Sequence, residues 1–242
     1  MEADSIAAYD LPDRVASYDA DMELMHPNRT KMVEIALEVL PFEADSPFRA
    51  LDLGIGTGYF TERFLKKFPK AKVIGIDGAE AMLDLAKVRL GVLADKVDFI
   101  AGDFRRLSQL VSNQEKVDVV YSSYALHHLN RTDKLEVIKQ ALNLLKSGGW
   151  FLNADLIIAE RPEIEKRIQE IRVRGIVSRT RGGDPRFADF QSTRRFLDEL
   201  EAKEGDQPLT LAADLQVLKD AGLHMPAVFW TEYREAVTGG LK

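Results

Sequence analysis

Two short stretches of the chain hold residues whose types and spacing could do chemistry. Leu51-Asp52-Leu53-Gly54-Ile55-Gly56-Thr57-Gly58 sets three alternating glycines behind a carboxylate. Glycines allow a tight turn and let a ligand lie close to the backbone. Amides at a helix start also favour polar or anionic groups. Asp77 stands 19 residues beyond Gly58. At the end of a strand, such an acid can accept hydrogen bonds from both hydroxyls of a ribose. Each feature also has a plain structural reading. A loop that needs positive φ explains one glycine without a ligand, and Asp77 before Gly78-Ala79 suits a helix cap. The second stretch is His127-His128, a candidate general base in the physiological pH range. Absence of Cys excludes a thiolate nucleophile and a Cys-ligated metal, and no metal ligand set is read from the sequence.

Hydrophobic periodicity supplies the elements that must position these residues. Between Leu24 and Leu40 the apolar residues recur closer to a 3.6 period than to alternation. Pro27 suits a helix start, so one or two short helices are expected before it and a longer one over 27–40. Strands are predicted at 49–53, 72–77, 97–101, 117–122 and 150–156. Helices are predicted between them at 59–68, 79–90 and 133–145, the last with Thr132 as N-cap and Gly148-Gly149 as its stop. This alternation implies a parallel sheet with helices on both faces and right-handed crossovers. The stretch 157–206 breaks the rhythm, with helices expected at 161–176 and 193–203 around a loop at Gly182-Gly183. A helix at 209–221 and strands at 225–233 and 235–241 close the chain. The expected fold is α/β: a Rossmann-like, seven-stranded, mostly parallel sheet with N-terminal helices and a helical lid insertion. One domain over 1–242 is expected: a cap at 1–45, a core at 46–156, the insertion at 157–206 and a closing unit at 207–242.

Composition limits the function classes. The chain has 242 residues, 45% hydrophobic and 30% charged, with a formal net charge of −6. That is ordinary for a globular protein and excludes a disordered, collagen-like or disulfide-built chain. The acidic start MEADSIAAYD has no basic-then-apolar signal segment. No apolar run approaches the ~20 residues that a membrane helix needs. A cytoplasmic protein without membrane contact is the expectation. The acidic balance argues against bulk nucleic-acid binding. A monomer or homodimer is expected.

The glycine spacing departs from the G-x-G-x-x-G of a dehydrogenase. With Asp52 before it, the loop resembles that of the class I S-adenosylmethionine (SAM)-dependent methyltransferases. Gly102-Asp103-Phe104, VDVVYSSYALHHL at 117–129 and LLKSGGWFL at 144–152 resemble further motifs of that family, in the family's order. The resemblance covers about 50–156 and then the closing elements. It implies SAM as cofactor and S-adenosylhomocysteine as product. By position, Asp52 would fix the loop or orient the methionine amino group. Gly54, Gly56 and Gly58 would admit the methionine and ribose, and Asp77, with Gly78 beside it, would hold the ribose. Met82 would pack on the adenine or serve as a core residue. Gly102, Asp103 and Phe104 would meet the adenine edge, and Ser123 and Tyr124 would sit near the sulfonium. His128 is the candidate catalytic base, although the His pair also suits a structural role in the loop.

The family's amino-methylating signature, Asn- or Asp-Pro-Pro-Tyr, is replaced here by Ser122-Ser123-Tyr124-Ala125. That points to a small-molecule acceptor. Specificity is expected from the N-terminal helices and the insertion, through Tyr18, His26, Arg29, Arg179, Arg181, Arg194 and Arg195, with Tyr9 as a further lid residue. Nine arginines within 157–206 suggest an anionic acceptor, or else solvated helix faces paired to glutamates. The chain ends also show a loose similarity to the carboxy-SAM synthase branch, in which an Arg near position 194 or 195 reads a carboxylate. A non-catalytic SAM-binding partner is the alternative of a different class.

Overall fold

A computed structural model of the chain describes residues 5–112, 115–180 and 182–242. Arg181 lies outside the described residues. The seven strands are β1 (Arg49–Leu53), β2 (Lys72–Asp77), β3 (Val97–Ala101), β4 (Val117–Ser123), β5 (Leu145–Leu156), β6 (Ala227–Glu232) and β7 (Glu235–Leu241). They form one sheet in the order β3-β2-β1-β4-β5-β7-β6. The first five run parallel, while β7 is antiparallel to β5 and β6 is antiparallel to β7. The order reverses between β1 and β4, the place where open α/β sheets leave a crevice beyond the carboxyl ends of their strands. Register brings that crevice's residues level: Leu53 pairs with both Ile76 and Ser122, and Asp77 pairs with Ala101.

Apolar stripes cover both faces of the sheet. On one face pack α3 (Arg29–Glu38), α4 (Tyr59–Lys67) and α5 (Glu80–Leu90), through Met32, Phe64, Leu65, Met82 and Ala86. On the other pack α6 (Leu107–Leu110), α7 (Arg131–Leu144) and α10 (Leu211–Ala221), through Leu107, Val137, Ala141, Val217 and Leu218. The remaining helices are α1 (Ser5–Tyr9), α2 (Pro12–Met25), α8 (Pro162–Arg179) and α9 (Phe190–Glu204). A separate apolar cluster of Met25, Val173, Ile176, Phe187 and Leu197 ties α2 to α8 and α9. The insertion therefore folds onto the N-terminal helices over the carboxyl edge of the sheet. No helix among the described residues is long and apolar enough to cross a membrane.

Some element ends differ from the sequence expectation. The N-cap of α7 is Asn130, whose side chain accepts the Asp133 amide, so Thr132 lies inside the first turn. Gly148-Gly149 does not stop that helix. It lies within β5, which pairs Leu145 with Val117, bulges, and resumes at Trp150 opposite Val119. Helix α9 begins three residues early because Asp189 accepts the Ser192 amide.

Candidate active site

A cavity of about 510 Å³ opens at the carboxyl edge of the sheet, under α1, α2 and the end of α9. Its size falls in the range of small-molecule and cofactor sites. The glycine loop forms one wall. At Gly54 (φ +77°), a Cβ would lie 2.5 Å from the Ala125 Cβ, so the loop passes too close to β4's exit for any side chain. At Gly56 (φ +53°), a Cβ would meet nothing within 4 Å, and the backbone faces open space. Asp77 ties this loop down. Its Oδ2 accepts the Gly56 amide at 2.8 Å and its Oδ1 accepts the Ala79 amide at 3.0 Å. Burial raises its pKa against those two amides. Asp77 thus caps α5 and faces the cavity at once.

Asp52 sits deeper, with 1% of its surface exposed. It accepts a 2.6 Å hydrogen bond from Thr61, whose hydroxyl is 2.7 Å from the Tyr121 hydroxyl. Burial pushes the Asp52 carboxyl up to about 7, with the nearby Asp77 charge adding to the effect. Met82, Phe104 and the carboxylate of Asp103 line the far end. Asp103 accepts the Arg105 amide at 2.9 Å and pairs with its Nε at 2.7 Å. The opposite end is built by Arg29. It lies 3.8 Å from the Tyr59 ring centroid and donates to Asp19 at 3.1 Å. Thr57 and Arg89 bond the same Asp19.

Tyr124 leaves β4 with φ +49°, a conformation that costs a side chain about 1–3 kcal/mol and persists only when its surroundings fix it. Here they do. Its amide donates to the Ala154 carbonyl at 3.1 Å and its hydroxyl to Glu235 at 2.7 Å. His26 lies 3.1 Å from the same carboxylate oxygen. Burial opposes the Glu235 charge, but the bonds from His26 and Tyr124 hold its pKa low.

His127 and His128 follow in a 3₁₀ turn, Leu126–His128. His127 is buried, with Nδ1 2.6 Å from Asp155 and Nε2 3.5 Å from Asp206. Burial opposes its charge, yet those two carboxylates prevail and raise it to about 10. His128 lines the cavity, with Nδ1 3.0 Å from Asp206 and Nε2 3.2 Å from the Tyr9 hydroxyl. Burial and the adjacent His127 charge lower its pKa. Tyr9 donates on to Glu204 at 3.1 Å, and Glu204 pairs with Arg14 at 2.6 Å. The His turn, α1, α2 and α9 are thus joined by one buried polar chain.

Fourteen of the residues singled out in the sequence line this cavity: Tyr9, Tyr18, Arg29, Asp52, Gly54, Gly56, Asp77, Gly78, Met82, Asp103, Phe104, Ser123, Tyr124 and His128. Others do not. Gly58 caps α4 and lets it approach α5, where a Cβ would lie 3.2 Å from the Ala86 Cβ. Gly102 is a backbone spacer, its amide donating to the Asp77 carbonyl and its missing Cβ making room for Leu110. His26 and Arg179 line a second, 210 Å³ cavity on the other side of Glu235. Arg194 bonds Gln169 and pairs with Asp198, and Arg195 is exposed. Arg172 and Arg186 likewise pair with Glu201 and with Asp21 and Asp184. None of the insertion's described arginines lines the first cavity, and Arg172, Arg186 and Arg194 join helices instead, so the described residues do not form the expected arginine-lined acceptor site. Sequence reasoning missed Thr57, Asp206 and Gln207. Thr57 lay in plain view between two of the glycines. Asp206 follows the αL glycine that ends α9 (Gly205, φ +70°), and nothing local announces that this turn meets residues 127–128.

Comparison with known proteins agrees with this fold. Residues 50–149 match a model described as a methyltransferase domain. An uncharacterized methyltransferase of Geobacillus sp. (strain WCH70) is 35% identical over 125 residues, 52% of this chain and 55% of that one. The chain thus spans about half the length of that relative. A carboxy-S-adenosyl-L-methionine synthase of Nautilia profundicola is 25% identical over 221 residues, 88% of this chain and 86% of the relative. Among solved structures, an O-methyltransferase family protein from Burkholderia thailandensis superposes with a TM-score of 0.68 at 18% identity. It covers 100% of this chain and 64% of that one.

Proposed function

Because the chain belongs to the class I SAM-dependent methyltransferases, we propose that it transfers a methyl group from SAM to a small organic acceptor that presents a hydroxyl group. One observation carries the reading. A single cavity holds Asp77 and Asp103 at the ends of β2 and β3, an open glycine backbone at Gly56, and Arg29 at the opposite end. Those groups fit SAM, which has a ribose diol, an adenine amino group and a methionine carboxylate. When bound, SAM supplies an electrophilic methyl group on a sulfonium.

The chain's own residues then divide the work. Asp77 accepts from the ribose hydroxyls and keeps the glycine loop in register. Asp103 would accept from the adenine amino group, and Met82 would lie beside the ring. Arg29, held flat by Tyr59 and Asp19, reads the carboxylate. Ser123 and Tyr124 mark where the strand ends nearest the reacting centre. Alignment of the acceptor and exclusion of water supply much of the acceleration. Tyr9, at the tip of α1, and α9 close that end of the cavity.

The acceptor end is lined by Tyr9, His128, Glu201, Asp206 and Gln207. It carries carboxylates and, among the described residues, no insertion arginine. That favours a neutral hydroxyl compound over an anion. His128 accepts a proton from the acceptor only after its Tyr9 contact opens, so its role as base is coupled to movement of α1.

A second reading, a carboxy-SAM synthase-like enzyme, is favoured by the end-to-end match to the Nautilia relative. Against it, Arg194 and Arg195 stand away from the cavity. Incubation with methyl-labelled SAM and a panel of hydroxyl, amine and carboxylate compounds tests the proposal. Label transfer to a hydroxyl compound with release of S-adenosylhomocysteine is expected. A SAM-derived product that keeps its methyl label and gains mass would favour the second reading. Tight SAM binding with no transfer to any compound would favour a non-catalytic SAM-binding partner.

A further inference from the structure

One buried cluster beside the cavity is built like a set of metal ligands. One ring nitrogen each from His127 and His128 and an Asp206 oxygen lie within 4.8 Å of one another, and His127 Nε2 and His128 Nδ1 are the nitrogens that face Asp206. The two nitrogens are 3.5 Å and 3.0 Å from the same Oδ1 of Asp206. The three side chains are only 5%, 7% and 9% exposed.

Hydrogen-bond accounting shows why this is more than crowding. Tyr9 has one hydroxyl proton and donates it to Glu204. Its oxygen is then left to accept from His128 Nε2. A neutral His128 that donates through Nε2 has a bare lone pair on Nδ1, and that lone pair faces a carboxylate. His128 Nδ1 and Asp206 Oδ1 lie 3.0 Å apart, yet neither makes a hydrogen bond because the angle is wrong. Two buried electron-rich atoms this close need a positive charge between them. A shared proton must lie near the line joining them, whereas a metal ion sits off the line between its ligands. To ligate through Nε2, His127 keeps its proton on Nδ1, where Asp155 accepts it, and releases the one on Nε2 when the ion binds.

The outer shell matches as well. A metal-bound histidine commonly donates its other ring nitrogen to a carboxylate or another fixed acceptor. His127 Nδ1 does so to Asp155 at 2.6 Å, and His128 Nε2 has the Tyr9 hydroxyl at 3.2 Å. Two imidazoles and one carboxylate suit first-row transition metals over Mg²⁺ or Ca²⁺. Three protein ligands leave a position open, and His128 and Asp206 both face the cavity.

We propose that His127, His128 and Asp206 bind a first-row divalent transition-metal ion, such as Zn²⁺, in the wall of the cavity. This adds a metal where the sequence alone suggested none. With the proposed methyl transfer, such an ion would lower the pKa of an acceptor hydroxyl at its open position, and this would replace His128 as the base, since both of its ring nitrogens are then engaged.

The test uses the full chain stripped of metal and titrated with Co²⁺ alone, followed by calorimetry and visible absorption. One equivalent should bind and give d–d bands of a histidine-ligated site. Asp206→Asn and His128→Gln should each weaken binding at least tenfold. Asp155→Asn, which removes no ligand atom, should weaken it about 10–100-fold. Circular dichroism checks each fold, and two separate ligand variants keep the test valid if one unfolds. A folded protein that takes up no stoichiometric Co²⁺, or that binds it equally after both ligand substitutions, would overturn the proposal. The titration uses neither SAM nor acceptor, so its failure is distinct from failure of the methyl-transfer reading.

Discussion

The Asp77 carboxylate accepts the Gly56 amide at 2.8 Å, joining the end of β2 to the centre of the glycine loop. The residue positioned to hold a ribose is therefore also the residue that shapes the loop beside it. Its second oxygen caps α5 through Ala79. Asp77→Ala should lower unfolding stability by about 2–3 kcal/mol, the scale of a helix cap plus a charged hydrogen bond. Urea denaturation of the ligand-free protein measures this. An unchanged midpoint would show that the loop holds itself.

The two open-loop glycines should respond differently to the same substitution. Gly54→Ala places a Cβ 2.5 Å from the Ala125 Cβ and should cost about 3 kcal/mol or more, through overpacking added to positive-φ strain. Gly56→Ala meets open space and should cost only the strain, about 1 kcal/mol. Its Cβ enters the space assigned to SAM, so its larger effect should be on SAM affinity. Thermal melts with and without S-adenosylhomocysteine separate the two effects.

Much of this arrangement is legible in the sequence. RALDL and KVIGID read as strands, and the GIGTG turn and Asp77 fall at the ends of these two neighbouring parallel strands. The positions that line the cavity from this core follow from local pattern. The acceptor side does not. The arginines of 157–206 look free in sequence, but Arg172, Arg186 and Arg194 find Glu201, Asp21 and Gln169 only once α2, α8 and α9 pack. Asp206 reaches the His127-His128 turn across 79 and 78 residues of chain, a distance no periodicity reveals.

Asp52 sets a pH dependence of stability. Its folded pKa of about 7 lies above the ordinary carboxylate value of 3.8. The folded state therefore keeps this proton while the unfolded state releases it. Its favourable contribution is full below about pH 4 and is lost as pH rises to about 7. Asp52→Asn should flatten the stability profile over that window and leave it unchanged in slope above it. Equilibrium denaturation at half-unit pH steps gives both slopes.

The lid clasp is a buried charge pair, Arg14 with Glu204 at 2.6 Å. Removing one partner leaves the other charge buried, and such losses run to about 3–5 kcal/mol. Glu204→Gln should destabilise by part of that amount, because Asp21 stays 3.5 Å from Arg14. Hydrogen exchange should speed up in α1, α2 and α9 and stay unchanged in β1 and β4. Uniform acceleration would mean that the clasp supports the whole fold.

The most direct test of the account is calorimetric titration of the purified, ligand-stripped protein with SAM and with S-adenosylhomocysteine. One saturable site per chain for both is expected, with affinity reduced at least tenfold in Arg29→Ala and in Asp103→Ala. A protein that melts cooperatively yet binds neither compound would contradict the assignment of the cavity.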